Sequence, residues 1–256
     1  MRGRATSFIP SFNAAFNFGV DPLFNFGAAP SGRESGRPLI IKPAPAGRSE
    51  GAYMFFKRNK AGDGNAFLIV GLGNPGREYS ATRHNCGFNA VECLASQLSG
   101  LSEFKLKHKA MTAQYRLNLD QRLILACPTT YMNASGESVR ELLDYYKLSH
   151  TRLMVIYDDI DLPLGALRVR ASGGPGTHNG MRSIVSCIGE DFNRIRIGIG
   201  KPPAQMQLAD FVLGKFTRDE MPVMQNAYKR AAECALEFVS SGIEKAMAKY
   251  NVNVKE

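Results

Sequence analysis

Apolar positions follow two different periods along most of this chain. From residue 67 onward, short apolar runs typical of strands alternate with longer stretches whose apolar residues recur at helical spacing. The runs predict strands at 67–72, 113–119, 123–127, 153–157, 167–170, 194–199 and 211–213. The helical repeat predicts helices at 87–98, 135–146, 179–188, 218–240 and 242–249. This alternation indicates an α/β fold: a single domain with a mixed, mostly parallel twisted sheet, flanked by helices on both faces.

Residues 1–53 have a different character. They are rich in Gly, Pro, Ser, Ala and Phe without steady periodicity, so we expect a disordered extension before a domain at 54–256. Three interpretations stay open: an organelle transit peptide, a functional tail, or an over-extended reading frame that truly starts at Met54. The short basic stretch that follows Met54 favours the third.

Composition limits the classes of function. An apolar content of 44% supports a substantial core, and no apolar run reaches the roughly 20 residues of a membrane span. Five scattered cysteines without Cys-x-x-Cys spacing indicate a reducing compartment and argue against a zinc site. We therefore expect a cytoplasmic protein, or an organelle-matrix protein if the extension is a transit peptide. The net charge of +9 suits a polyanionic partner.

A glycine motif raises the possibility of a nucleotide cofactor. Residues 71–76 match the pattern Gly-x-Gly-x-x-Gly, which binds pyrophosphate only when a helix opens within the loop. Here Pro75 and the polar stretch 77–85 separate the glycines from the next predicted helix. A dinucleotide-dependent enzyme therefore stays a minor alternative.

Four polar clusters each follow a predicted apolar strand, and such loops gather at one edge of this kind of sheet. The clusters are Asn74 with His84, then 129–133, 158–161 and 173–180. An imidazole can act as a general base near neutral pH, and a carboxylate such as Asp158 can hold its ring. Activated water would make a nucleophilic side chain unnecessary, and the spacing of Cys86 from His84 gives no reason for contact. Asparagine amides suit a peptide group or an oxyanion.

Simpler roles are open for each of these residues. His84 by itself could be a surface or capping residue, and Asn74-Pro-Gly is an ordinary turn. Asn133 or Ser135 could only cap the helix at 135–146. We interpret His178, which lies within Gly-Thr-His-Asn-Gly, as structural rather than as a second base.

Several longer motifs occur together and in order between about residue 67 and residue 250. They are Val-Gly-Leu-Gly-Asn-Pro-Gly, Thr-Arg-His-Asn, Pro-Thr-Thr-Tyr-Met-Asn, Asp-Asp-Ile-Asp-Leu-Pro-Leu-Gly, Gly-Thr-His-Asn-Gly-Met-Arg-Ser-Ile, Arg-Ile-Arg-Ile-Gly-Ile-Gly and Phe-Val-Leu-Gly-Lys-Phe. On these motifs the chain resembles bacterial-type peptidyl-tRNA hydrolase. It departs from the family at Tyr131, where phenylalanine is frequent, and at Pro175 and Thr177, in a loop usually richer in glycine or alanine.

The resemblance implies cleavage of the ester between a peptide and the 3′ ribose of tRNA, which recycles tRNA from prematurely released peptidyl-tRNA. It implies His84 as the base, Asp158 as its stabiliser, and Asn74 as a discriminator between blocked and free aminoacyl-tRNA. It implies contacts to the tRNA end or the peptide backbone from Tyr79, Tyr131, Asn133 and Asn179. No metal or cofactor is implied, and we expect a monomer.

Paired arginines complete the candidate site. Arg168 and Arg170 point to one face of their predicted strand, as do Arg194 and Arg196 on theirs. If the strands are neighbours, four guanidinium groups share a surface suited to phosphate. The resemblance suggests Arg170 and Arg196 as a clamp for the tRNA 5′ phosphate, and a solvated strand face is the alternative.

An RNA-binding protein without hydrolytic activity is the rival to the enzyme.

Overall fold

The computed structural model describes residues 65–251 and contains one seven-stranded sheet in the order β2-β3-β4-β1-β5-β7-β6. The strands are β1 (Ala66–Gly71), β2 (Lys105–Lys107), β3 (Ala110–Arg116), β4 (Arg122–Pro128), β5 (Leu153–Asp159), β6 (Leu167–Arg170) and β7 (Asn193–Gly198). The central strands β4, β1, β5 and β7 pair in parallel, whereas β2, β3 and β6 add antiparallel pairs at the two edges. The predicted mixed α/β sheet is confirmed, while the extension at 1–53 lies outside the described residues.

Helices cover both faces of this sheet. They are α1 (Cys86–Gln97), α2 (Ser135–Tyr146), α3 (Asn179–Ile188), α4 (Leu208–Leu213), α5 (Glu220–Ser241) and α6 (Ile243–Tyr250). Phe67 and Ile69 of the central strand join the core under α1, α5 and α6, whereas Leu68 and Val70 join the core under α2 and α3. Burial on both faces explains why this strand reads as a continuous apolar run. Between residues 65 and 251, no helix is long and apolar enough to cross a membrane.

Two elements differ from the prediction. Residues 211–213 end the short helix α4 rather than form a strand. The strand prediction was wrong because a run of three apolar residues fits the helical and the strand period equally well. The strand predicted at 113–119 begins earlier, at Ala110, and pairs with β2, for which the sequence predicts no strand. The three residues of β2 are all exposed, so they carry no signal of burial.

The glycine motif serves close packing of the backbone. A Cβ atom on Gly71 would lie 2.2 Å from the carbonyl oxygen of Gly87, and one on Gly87 would lie 2.3 Å from that of Ile156. These glycines bring the start of α1 against the carboxyl ends of β1 and β5. Since α1 begins only at Cys86, well after the loop, the arrangement differs from a dinucleotide-binding turn. The same packing holds the turn before α1, which carries His84, over the sheet edge.

Candidate active site

Loops at the carboxyl edge of the central strands line an open cleft of about 970 Å³. The family resemblance assigns roles to nine residues, and of these nine all but Tyr79 line this cleft. The eight are Asn74, His84, Tyr131, Asn133, Asp158, Arg170, Asn179 and Arg196. Tyr79 instead contacts the ring of the exposed Tyr131 edge-on, with ring centroids 6.4 Å apart. The four polar loops therefore meet at one edge of the sheet, as predicted.

His84 and Asp158 form a buried pair at the centre of the cleft. His84 lies in a short 3-10 turn, and its Nδ1 is 3.0 Å from both carboxylate oxygens of Asp158 at the end of β5. Burial alone would raise the pKa of the Asp158 carboxyl, but His178 and His84 outweigh it and hold that pKa well below its usual range. The carboxylate therefore stays ionised. With Nδ1 engaged, Nε2 is the ring atom of His84 that can accept a proton.

His178 is the second imidazole on the same carboxylate, and its ring centroid lies 4.8 Å from that of His84. Its Nδ1 accepts a hydrogen bond of 3.2 Å from the Met181 backbone N–H and so caps α3. Its Nε2 must then carry the proton of the neutral ring and donate it to Asp158 Oδ1 at 3.1 Å. His178 thus has no free nitrogen for proton transfer. Its geometry suits positioning of Asp158, which agrees with the interpretation of His178 as a structural residue rather than a second base.

His84, Asp158 and His178 are close enough together to be considered as metal ligands, because their possible ligand atoms lie within 4.8 Å of one another. A metal needs a lone pair from each ligand. The protonated Nε2 of His178 offers none while Met181 occupies the other ring nitrogen. The residues present fit a hydrogen-bonded His–Asp–His cluster better than a metal site.

The side-chain amide of Asn74 is fixed by a hydrogen bond at its oxygen. Its Oδ1 accepts the Met132 backbone N–H at 2.8 Å, which leaves the Nδ2 group for a ligand. Asn85 holds the main chain of Asn74, accepting from its N–H at 2.9 Å and donating to its C=O at 3.0 Å. Asn85 lies within the motif Thr-Arg-His-Asn, which by itself predicts no role for it. Its position between His84 and the start of α1 was the one feature of the sequence that could have indicated a role in the site.

The arginine surface is only partly as predicted. Strands β6 and β7 are neighbours, with Arg168 opposite Arg196 and Arg170 opposite Arg194. Arg194, however, is 1% exposed. It donates to the carbonyl groups of Glu190 at 2.8 Å, Gly174 at 3.2 Å and Phe192 at 3.4 Å. The expected surface of four guanidinium groups is wrong in this respect, because Arg194 anchors the glycine-rich loop instead.

Arg196 and Arg170 differ in their freedom. Arg196 forms an ion pair with Asp159. Burial opposes the charge of Arg196, but this carboxylate raises the pKa of its guanidinium above the ordinary value. Arg170 is exposed at the rim of the cleft. Arg170 is therefore the guanidinium more open to a phosphate, while Arg196 is held in a fixed direction.

Cys86 directly follows the turn that carries His84 and is fully buried. Burial, followed by the charge of Asp158, raises the pKa of its thiol well above the usual value. A thiol that stays protonated is a poor nucleophile. This environment agrees with a mechanism in which the cysteine forms no covalent intermediate.

Fold and site together define an α/β enzyme with a histidine–aspartate pair in a cleft lined by amides and arginines. The family model for peptidyl-tRNA hydrolase matches residues 68–256. The peptidyl-tRNA hydrolase of Alkaliphilus metalliredigens is 50% identical over 186 residues, which cover 72% of this chain and 99% of the relative. That of Chloroflexus aggregans is 49% identical over 187 residues, covering 72% and 98%. The chain belongs to the peptidyl-tRNA hydrolase family.

A solved structure agrees with this membership. The crystal structure of peptidyl-tRNA hydrolase from Acinetobacter baumannii superposes with a TM-score of 0.68 at 37% sequence identity. The match covers 74% of this chain and 96% of that one.

Proposed function

We propose that this chain hydrolyses the ester bond between a peptide, or an N-blocked amino acid, and the 3′ ribose of tRNA. Membership of the family supports the reaction. The observation that carries the mechanism is the fixed His84 ring, with Nδ1 on the ionised Asp158 and Nε2 left to accept a proton. Recycling of tRNA from prematurely released peptidyl-tRNA is the role that this reaction serves.

Water is the nucleophile in this mechanism. Nε2 of His84 takes a proton from water as the water oxygen attacks the ester carbonyl carbon. Asp158 stabilises the imidazolium that forms. The tetrahedral intermediate then collapses and breaks the bond from the carbonyl carbon to the ribose oxygen, which receives the proton from the imidazolium. The products are a peptide with a free carboxyl group, which loses its remaining proton to solvent, and a tRNA with its terminal hydroxyl restored.

Asn74 supplies a donor that favours blocked substrates. Its free Nδ2 group can donate to the carbonyl of an amide-blocked residue. A free aminoacyl-tRNA presents an ammonium group instead, and two sets of N–H donors repel each other. The exposed amides of Asn133 and Asn179 can contact the peptide backbone or the developing oxyanion from the rim of the cleft.

Aromatic and basic residues would bind the RNA. The ring of Tyr131 is 62% exposed and braced by Tyr79, which suits stacking on a base at the tRNA end. Arg170 and Arg196 would contact the 5′ phosphate, and phosphate contacts make binding sensitive to salt. We further infer that the enzyme is a monomer and needs neither metal nor cofactor. We infer a reducing, cytoplasmic setting as well, in keeping with the five cysteines, which are unpaired thiols.

The test is release of labelled N-acetyl-amino acid from N-acetyl-aminoacyl-tRNA, with unblocked aminoacyl-tRNA in parallel. Rapid cleavage of the blocked substrate alone supports the proposal. Binding of both tRNAs without cleavage of either would favour the rival RNA-binding function. Binding of labelled NAD or FAD would instead point to the dinucleotide alternative.

A further inference from the structure

One wall of the cleft belongs to a segment with little packing of its own. The short helix α4 supplies Leu208, Ala209, Val212 and Leu213 to the lining. Within this six-residue helix, Phe211 is its buried residue, and Leu208 and Leu213 are more than a third exposed. A helix this short is marginal without tertiary contacts. Something else must therefore hold the wall in place.

The turn that carries His84 touches this segment through its backbone. The Arg83 N–H donates to the carbonyl of Gly214 at 2.9 Å. Thr82 and Lys215 form an isolated antiparallel β-bridge beside this bond. The catalytic turn and the end of α4 are thus joined by a single short stretch of main-chain pairing.

The side chain of Arg83 makes the larger connection. It is 8% exposed, and its Nη2 lies 2.8 Å and 3.1 Å from the two carboxylate oxygens of Glu220. Its Nη1 donates to the Ile199 carbonyl at 3.4 Å. The guanidinium also lies 4.5 Å from the ring centroids of both Phe211 and Phe216. One side chain therefore contacts the beginning, middle and end of the segment 199–220.

Glu220 is itself fixed by the chain around it. Its carboxylate accepts the Thr217 backbone N–H at 2.7 Å, and its own N–H donates to the Thr217 hydroxyl at 3.3 Å. This reciprocal pair has the form of a capping box at the start of α5. The partner of Arg83 is therefore anchored to a 22-residue helix of the core rather than to a loop.

We propose that Arg83 is a positioning residue that locks the α4 wall against the catalytic turn and so sets the width of the substrate cleft. The inference rests on the proposed function, in which that cleft binds peptidyl-tRNA. Lysine cannot replace arginine here, because it lacks the planar fork that reaches a carboxylate and a carbonyl while stacking on two rings. Neither Arg83 nor Glu220 takes part in the His84–Asp158 contact, so we expect the lock to act on binding rather than on proton transfer.

The experiment compares Arg83→Met, Arg83→Lys and Glu220→Gln with the native chain in cleavage of N-acetyl-aminoacyl-tRNA. For Arg83→Met we expect KM to rise about tenfold while kcat stays within about threefold and the pH–rate profile keeps its midpoint. Arg83→Lys should restore little of the loss. Combining Arg83→Met with Glu220→Gln should raise KM by less than the product of the single effects, because both break one contact.

Arg152→Met is the matched control, because Arg152 also stacks on a phenylalanine, 4.4 Å over Phe67, at the amino ends of the central strands, away from the cleft. It should leave KM unchanged. A merely structural role for Arg83 would lower the active fraction, and so kcat, without changing KM; that outcome overturns the proposal, as does an equal rise in KM for Arg152→Met.

Hydrogen exchange gives a readout that does not need turnover. The Phe211 and Gly214 amides are bonded within the wall segment. They should exchange at least about tenfold faster in Arg83→Met and at the native rate in Arg152→Met. If the native chain fails to cleave the blocked substrate, the proposed function fails, and exchange alone decides the role of Arg83. Unchanged exchange of these amides contradicts the lock.

Discussion

His178 holds Asp158 by the oxygen that also faces His84. The His178 Nε2 and His84 Nδ1 atoms lie 3.1 Å and 3.0 Å from Asp158 Oδ1, and the second His178 nitrogen is occupied by Met181. The carboxylate is thus oriented from two sides before substrate arrives. A preorganised carboxylate of this kind need not reorient when the imidazolium forms.

His178 donates a hydrogen bond to the Asp158 carboxylate. Replacing it with alanine removes one hydrogen bond to a charged group, so kcat should fall about tenfold to a hundredfold. The fall should appear in single-turnover cleavage of blocked aminoacyl-tRNA, while affinity for the substrate changes little. A native rate in His178→Ala would mean that His84 alone suffices to orient the carboxylate. Circular dichroism checks that α3 survives the loss of its cap.

Asp158→Asn tests the charge of the carboxylate at nearly constant shape. The amide cannot stabilise the imidazolium and can force the wrong tautomer on His84, so kcat should fall by about 10³-fold or more. In the native enzyme the pKa of Asp158 is depressed, so this group stays ionised at all pH values near neutrality. In the variant, the pH–rate profile should change, because the His84 ring loses its anionic partner. An unmoved profile at a native rate would remove Asp158 from the mechanism.

Asn74→Asp tests discrimination. The substitution keeps an acceptor for Met132 but replaces the free donor with a negative oxygen. The ratio of kcat/KM for blocked over unblocked aminoacyl-tRNA should fall about tenfold, since a mispaired buried polar group costs roughly 1–3 kcal/mol. Both substrates are assayed on one preparation, so the ratio is independent of the active fraction. An unchanged ratio would assign discrimination elsewhere.

Arg170→Ala tests the phosphate contact. The slope of log affinity for tRNA against log salt should decrease by about 1 if Arg170 neutralises one phosphate. Arg168→Ala is a matched control on the same strand, because Arg168 is outside the residues that line the cleft. Equal slopes for the two variants would contradict a specific contact at Arg170.

The sequence predicts the framework of this fold better than its edges. Strong periodicity placed α2 and α3 at their observed bounds, and the two-sided apolar run located the central strand. The exposed strand β2 and the short helix α4 carry too few buried residues to leave a periodic signal. Their structure depends on tertiary contacts that no local pattern encodes.

The candidate site, like the fold, was predictable only in part. Loops that follow parallel strands must share one edge, so the convergence of His84, Asp158 and Asn74 was predictable. The burial of Arg194 was not, because strand alternation gives the face of a side chain but not what covers that face. The role of Arg83 was equally hidden, since its partner Glu220 lies 137 positions along the chain.

In the proposed mechanism His84 is the general base. The most direct measurement is single-turnover cleavage of N-acetyl-aminoacyl-tRNA by His84→Ala, together with its affinity for the same tRNA. We predict a loss of at least about 10³-fold in cleavage with affinity retained, because the water loses its proton acceptor while the cleft keeps its RNA contacts. Cleavage at a near-native rate by the folded variant would contradict the account.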